Sequence, residues 1–197
     1  MKCVLTGDSG TGKSSFLQRV INNQFSDNYI PIAIDFGRKQ FCKPNKNGVE
    51  TEFTLQLWDI DLNHKFRTIS TVYFRNSKGF VIMYDITQQT SFDNVLNWLN
   101  EIKRRTDSDE YVLFLVGTKS DLSNERVISA EKGMELAASL GCSFFEVSSK
   151  EDKNVESTVS AMVEAMIKLV KDPEETPQIQ EDPSLFNRLY SWVTNLF

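Results

Sequence analysis

Short apolar runs alternate with helix-like segments along the first 170 residues of the chain. The runs at 80–84 and 112–116 are apolar at every position, which is typical of strands buried on both faces of a parallel sheet. The pattern predicts strands at 2–6, 38–43, 51–58, 79–84, 112–117 and 143–147. It predicts helices at 13–23, 91–104, 129–140 and 155–170, with a less regular helical stretch at 65–74.

The alternation of strands and helices predicts an α/β fold. We expect a doubly wound, mostly parallel six-stranded sheet with about five helices, which binds its ligand at the carboxyl ends of the strands. A turn sequence from Pro44 to Gly48 separates the second and third predicted strands. This turn predicts that these two strands form the one antiparallel pair in the sheet.

The character of the chain changes after residue 171, where the predicted domain (1–171) ends. Residues 172–183 contain three prolines and five acids, which predicts a linker. Residues 184–197 place their apolar side chains at helical spacing, which predicts an amphipathic helix. The apolar face of this helix could bind a membrane interface, a groove on another protein or the surface of its own domain, and the sequence does not decide among the three.

Composition narrows the functional classes. The net charge of −5 and the pI near 5.0 argue against a nucleic-acid partner. The cysteines Cys3, Cys42 and Cys142 are widely spaced, so they match neither a metal pattern nor a disulfide framework. No apolar run approaches the ~20 residues of a membrane span. We therefore expect reduced thiols in the cytoplasm. We also expect the protein to be a monomer.

A glycine-rich motif follows the first predicted strand. Residues 7–14 read GDSGTGKS, which matches the phosphate-loop pattern at every position. The glycines let successive N–H groups point at one phosphate chain, and the start of the next helix adds partial positive charge. The motif predicts that Lys13 reaches the β- and γ-phosphates and that the Ser14 hydroxyl binds Mg²⁺.

Three further motifs follow predicted strands. Asp59 ends the third strand, where it can hold Mg²⁺ through a water. Residues 118–121 read TKSD, and Asp121 can accept hydrogen bonds from N1–H and N2–H₂ of guanine, while the stem of Lys119 can lie along the base. Residues 148–150 read SSK, and the N–H of Ser149 can meet the guanine O6. These loops share the edge of the sheet at which a doubly wound fold binds its ligand.

The sequence resembles small GTPases of the Rab branch of the Ras superfamily. The likeness covers the chain to about residue 170, and the stretches that carry it are 7–15, 35–36, 72–76, 84–87, 91–92, 98–99, 101–102 and 116–119. It implies bound GTP or GDP with Mg²⁺, two switch segments, and effectors, exchange factors or GTPase-activating proteins as partners. It also implies that Phe25 stacks on the base and that Phe36, Trp58 and Tyr73 present an aromatic trio to those partners, with ordinary core packing as the alternative for the trio.

Together these patterns give a set of candidate site residues. Asn63 and Lys13 are the catalytic candidates, and Ser14 and Asp59 are the metal candidates. The predicted nucleotide contacts are Ser9, Gly10, Thr11, Gly12, Lys13, Ser14, Ser15, Phe25, Thr118, Lys119, Asp121, Ser148, Ser149 and Lys150.

Both switch segments depart from the family. Residues 29–36 read YIPIAIDF, one residue shorter than in Rabs, and they lack the threonine that would bind Mg²⁺ and the γ-phosphate. The family's water-orienting glutamine is Asn63 here, whose amide stands on a stem one methylene shorter. Because a displacement of about 1 Å can cost on the order of a hundredfold in rate, we expect slow intrinsic hydrolysis.

Two further departures concern retention of the nucleotide and the C-terminus. Thr118 stands where Rabs carry asparagine. We therefore expect fewer hydrogen bonds between the base loops and weaker retention of the nucleotide. No cysteine follows Cys142, so we expect no prenylation, and residues 184–197 are the candidate substitute anchor.

The favoured interpretation is a Rab-like GTP/GDP-binding protein with slow GTPase activity, acting in vesicle or membrane traffic. A non-cycling interaction module is the alternative, either in the cell's own cytosol or as a microbial mimic of host Rabs that recruits Rab effectors or regulators. An ATP-using enzyme is a weaker alternative, which Asp121 argues against.

Overall fold

A computed structural model describes residues 1–27, 34–45, 47–60 and 71–169. Its strands are β1 (Lys2–Thr6), β2 (Ile34–Pro44), β3 (Glu50–Ile60), β4 (Gly79–Asp85), β5 (Val112–Thr118) and β6 (Ser143–Glu146). Its α-helices are α1 (Lys13–Asn22), α2 (Thr71–Phe74), α3 (Gln89–Asp93), α4 (Val95–Arg105), α5 (Ala130–Leu140) and α6 (Val155–Ile167), and a 3₁₀ turn covers Ser123–Glu125.

The strands form one six-stranded sheet in the order β2-β3-β1-β4-β5-β6. Among the described strands, only β2 and β3 pair antiparallel, from Ile34 opposite Ile60 to Pro44 opposite Glu50, and the other neighbours are parallel. The predicted α/β class, the mostly parallel sheet and its single antiparallel pair are therefore confirmed.

Helices cover the sheet on both faces. On one face, α1 and α6 bury side chains such as Phe16 and Met162 in a cluster with Leu5 of β1. On the other face, α4 and α5 bury Leu99 and Ala137 with the alternate residues of the central strands. Every residue of β4 is buried, as its continuous apolar run predicts.

Several element boundaries differ from the prediction. The predicted helix 91–104 is divided into α3 and α4 at Asn94, whose amide donates to the Asp8 carboxylate at 2.7 Å instead of facing solvent. β2 begins at Ile34 rather than residue 38, because residues 34–37 continue the ladder with β3. The last helix ends at Ile167, and of the predicted stretch 65–74 only α2 lies within the described residues.

Glycine sets the distance between α5 and the sheet. Gly133 lies within α5, and a Cβ there would lie 2.5 Å from the ring of Phe144 and 2.5 Å from the Tyr84 hydroxyl. The helix can approach the sheet this closely because residue 133 has no side chain.

The predicted linker 172–183 and amphipathic helix 184–197 lie outside the described residues. Among the helices that the structure describes, none has both the length and the apolar character that crossing a bilayer requires.

Candidate nucleotide-binding site

A cleft of about 390 Å³ opens where the carboxyl ends of the strands meet. Its volume lies within the range of ligand pockets in proteins. The predicted residues that line it are Ser9, Gly10, Gly12, Lys13, Ser14, Ser15, Phe25, Asp59, Thr118, Lys119, Asp121, Ser149 and Lys150. Ser26, Asp27 and Leu122 also line it without having been predicted.

Two predicted contact residues do not line the cleft but support its wall. The Thr11 hydroxyl is buried and donates to the Asp8 carbonyl at 2.9 Å. The Ser148 hydroxyl donates to Asp121 Oδ1 at 2.6 Å, which orients that carboxylate. The catalytic candidate Asn63 lies outside the described residues.

Glycines of the phosphate-loop motif have backbone conformations that other residues rarely adopt. Gly10 and Gly12 both have φ near +80°, at 83° and 82°, a region in which other residues are strained. A Cβ at Gly7 would lie 2.2 Å from the carbonyl oxygen of Met83, so this glycine is needed for close approach to β4. Lys13 Nζ donates to the carbonyls of Gly7 at 2.9 Å and Asp8 at 2.8 Å, which holds its side chain along the loop.

The two metal candidates are in contact. The Ser14 hydroxyl at the start of α1 donates to Asp59 Oδ2 near the end of β3. Asp59 is buried, and its backbone lies opposite Leu5 in the β1–β3 ladder, just before the phosphate loop. A hydroxyl and a carboxylate are oxygen ligands of the kind that Mg²⁺ prefers, so this pair fits that ion.

The base loops are linked to the rest of the sheet. The Thr118 hydroxyl lies 2.8 Å from the Thr11 carbonyl and 2.9 Å from the Tyr84 carbonyl, which joins the phosphate loop, β4 and β5. Lys119 has a positive φ of 60°, its ammonium group pairs with Asp85 Oδ2 at 2.5 Å, and the residue lines the cleft. Its contact with a base stays a prediction.

Comparison with known proteins identifies the family. The model of the Ras family matches residues 2–168. The chain belongs to the Ras family. It is 37% identical to Ras-related protein Rab-3 of Caenorhabditis elegans over 186 residues, covering 91% of this chain and 82% of that protein.

Other relatives point to the same branch. Human Ras-related protein Rab-27B is 34% identical over 187 residues, which is 92% of this chain and 86% of that protein. The rat GTP-binding protein Rab-3D is 40% identical over 164 residues, which is 83% of this chain and 72% of that protein. The chain is thus a Rab-like small GTPase, a class whose members bind GTP or GDP with Mg²⁺.

The predicted aromatic trio of this Rab-like GTPase forms a cluster. The rings of Phe36 and Trp58 lie 4.4 Å apart, and those of Trp58 and Tyr73 lie 5.4 Å apart. All three side chains are partly exposed. Two cations flank the cluster, with Lys2 Nζ 5.3 Å from the Trp58 ring and Arg38 Cζ 5.2 Å from the Phe36 ring.

Sequence reasoning missed a link between the phosphate loop and α4. The Asp8 carboxylate accepts hydrogen bonds from Asn94 Nδ2 and Trp98 Nε1, both at 2.7 Å. Its backbone carbonyl meanwhile holds Lys13. Asp8 lies within the loop motif, but nothing in the sequence connects it to residues almost a hundred positions later.

Proposed function

We propose that this Rab-like GTPase binds GDP and GTP in the cleft and acts as a switch in vesicle traffic at the cytoplasmic face of a membrane. The observation that carries the proposal is the position of Asp121. The Asp121 carboxylate, which accepts a hydrogen bond from Ser148, lines the same cleft as the phosphate loop, and this supports the proposal. The names of the Rab relatives, one of them a GTP-binding protein, support the same ligand.

At the phosphate end, we assign Lys13 to the β- and γ-phosphates. Its ammonium group already lies along the loop carbonyls, so little rearrangement is needed to add a phosphate oxygen. Ser14 would bind Mg²⁺ directly, and Asp59 would hold it through a water. When bound, the ion neutralises charge that develops on the phosphates during in-line attack by water.

At the base end, we assign Asp121 to the guanine edge. Its carboxylate would accept from N1–H and N2–H₂, an arrangement of donors that adenine lacks. The Ser149 N–H would meet O6, and the stem of Lys119 and the ring of Phe25 would contact the base faces.

Hydrolysis by this GTPase is proposed to be slow. The residue for orienting the attacking water is Asn63, whose amide is one methylene shorter than that of glutamine. Catalysis of phosphoryl transfer depends mainly on positioning and charge neutralisation, so a shorter side chain lowers the rate without abolishing binding.

We assign the aromatic trio to partner recognition. Phe36 and Trp58 lie opposite each other near the open end of the β2–β3 hairpin, and Tyr73 of α2 contacts the Trp58 ring, so we expect the accessibility of the trio to depend on the bound nucleotide. Lys2 and Arg38 beside these rings favour a partner that places acidic side chains next to an apolar anchor.

Base selection gives the decisive test. Asp121→Asn replaces an acceptor by an amide, whose N–H₂ faces the guanine donors but suits the extra oxygen of xanthine. We expect GDP affinity to fall roughly hundredfold or more, since two hydrogen bonds to a charged group are lost, and XDP affinity to rise. Binding is measured by fluorescence titration with mant-labelled nucleotides.

A matched control lies in the same cleft. Asp27→Asn makes the same change in a carboxylate that is 74% exposed, and it should leave GDP affinity within about twofold. Preference of the wild-type protein for adenine nucleotides, or no binding of GDP at millimolar concentration, would contradict the proposal.

A further inference from the structure

Arg19 of α1 connects two segments that are distant in sequence. Its Nε donates to the Ser149 carbonyl at 2.8 Å, and Nη2 donates to the Lys150 carbonyl at 3.2 Å. Its Nη1 lies 3.1 Å from the Asn23 carbonyl and 3.0 Å from Asn23 Oδ1. One guanidinium group therefore holds the end of its own helix and the loop that follows β6.

These two segments are opposite walls of the proposed base pocket. Asn23 ends α1 in a left-handed conformation, with φ of 53°, and the chain then leads to Phe25. Ser149 and Lys150 form the other wall. Phe25, Ser149 and Lys150 all line the cleft. Arg19 thus bonds both to Asn23, two residues before Phe25, and to Ser149 itself.

Another link crosses the mouth of the cleft, but it is weak. Lys150 Nζ and Asp27 Oδ1 are 3.9 Å apart, and their side chains are 57% and 74% exposed. Exposed ion pairs of this kind contribute little. Arg19 provides the shorter contacts, and its planar group with five donors can satisfy acceptors on both sides at once.

We infer that Arg19 is a positioning residue that holds the two walls of the base pocket together and slows the release of guanine nucleotide. The inference rests on the proposed function, because it requires the nucleotide base to lie between Phe25 and Ser149. Arg19 touches neither the phosphate loop nor the metal pair through any of these bonds. Its loss therefore affects retention of the base rather than hydrolysis.

The test compares Arg19→Lys and Arg19→Gln with the wild-type protein. Arg19 reaches its acceptors through three separate nitrogens, whereas lysine keeps the charge on one nitrogen and glutamine has one donor nitrogen, so neither reproduces the full set of bonds to both walls. We expect mant-GDP to dissociate about tenfold faster from each variant, the effect of losing roughly one charge-assisted hydrogen bond. Single-turnover hydrolysis of bound GTP should stay within about twofold of wild type.

Two further measurements separate positioning from general damage. Inorganic tripolyphosphate has no base, so its competition with mant-GDP at the phosphate loop should be equally strong in variants and wild type after correction for GDP affinity. The nucleotide-free variants should still melt well above the assay temperature, with a fall of only the few degrees that the lost bonds account for. Arg104→Lys is the matched control, because Arg104 also bonds a neighbour on its helix, Glu101 at 2.7 Å, but is exposed on α4.

The outcomes are distinct. Faster GDP release with normal tripolyphosphate binding supports the inference. Release at the wild-type rate overturns it, as does a parallel loss of tripolyphosphate binding. Failure of the wild-type protein to bind mant-GDP would instead overturn the proposed function itself.

Discussion

Replacing Thr118 by valine removes one oxygen from the centre of the site and keeps the shape of the side chain. Thr118 is 2% exposed, and its hydroxyl lies 2.8 Å from the Thr11 carbonyl and 2.9 Å from the Tyr84 carbonyl. A hydroxyl has one proton, so Thr118→Val takes one donated bond from this pair of buried carbonyls. Such a loss costs about 1–3 kcal/mol.

The cost should appear in two measurements. For a domain of this size, about 1–3 kcal/mol corresponds to a fall in melting temperature of roughly 2–12 °C. The Thr11 carbonyl belongs to the phosphate loop, so the loop also loses its link to β5. We expect mant-GDP to dissociate about tenfold faster, which corresponds to about 1.4 kcal/mol.

A threonine remote from the cleft provides the control. Thr158 is fully buried on α6, and its hydroxyl donates to the Asn154 carbonyl at 2.6 Å. Thr158→Val should lower the melting temperature without changing GDP release. If Thr118→Val releases GDP at the wild-type rate while its melting temperature falls, the hydroxyl stabilises the fold alone and our reasoning about the loop is wrong.

Four other substitutions test separate features. Asp59→Asn should raise the Mg²⁺ concentration needed to retain GDP about tenfold or more, and an unchanged requirement in an EDTA titration would remove Asp59 from the metal site. Asn63→Gln should speed single-turnover GTP hydrolysis by about tenfold or more, and equal rates would refute the positioning explanation. Tyr84→Phe should stabilise the protein by about 1 kcal/mol in urea unfolding, because the buried Tyr84 hydroxyl has no hydrogen-bond partner among the residues that the structure describes. Burial raises the pKa of Tyr84, so above about pH 10 the unfolded tyrosine ionises first, wild-type stability falls, and the advantage of the variant should grow; a constant difference would contradict this. Gly133→Ala should destabilise by about 1 kcal/mol, since overpacking against Phe144 outweighs the gain in helix propensity, and a higher melting temperature would contradict the close contact.

The fold followed from patterns that are local in sequence. The all-apolar runs of β4 and β5 predicted buried parallel strands, and the turn after Pro44 predicted the antiparallel pair. The break at Asn94 was not predictable in this way. The side chain of Asn94 bonds to Asp8, 86 positions earlier, and a helical pattern contains no sign of such a partner.

The site divides in the same manner. Short motifs contain Lys13, Ser14 and Asp121, and the residue types in these motifs indicate their chemistry. The sequence alone therefore predicted them as site residues. Arg19 looks like any polar residue on an exposed helix face, and its bond to Ser149 spans 130 positions. Thr118 was recognised as a departure from the family, yet only the structure shows that its hydroxyl still joins the phosphate loop to the sheet.

The bond from the indole of Trp98 to the Asp8 carboxylate has a practical consequence. An indole whose N–H faces a negative charge emits at a wavelength that depends on the position of that charge, so movement of the phosphate loop should be visible as a shift in intrinsic emission. The chain has two other tryptophans, Trp58 and Trp192, and replacing both by phenylalanine would leave a single built-in optical probe of the loop.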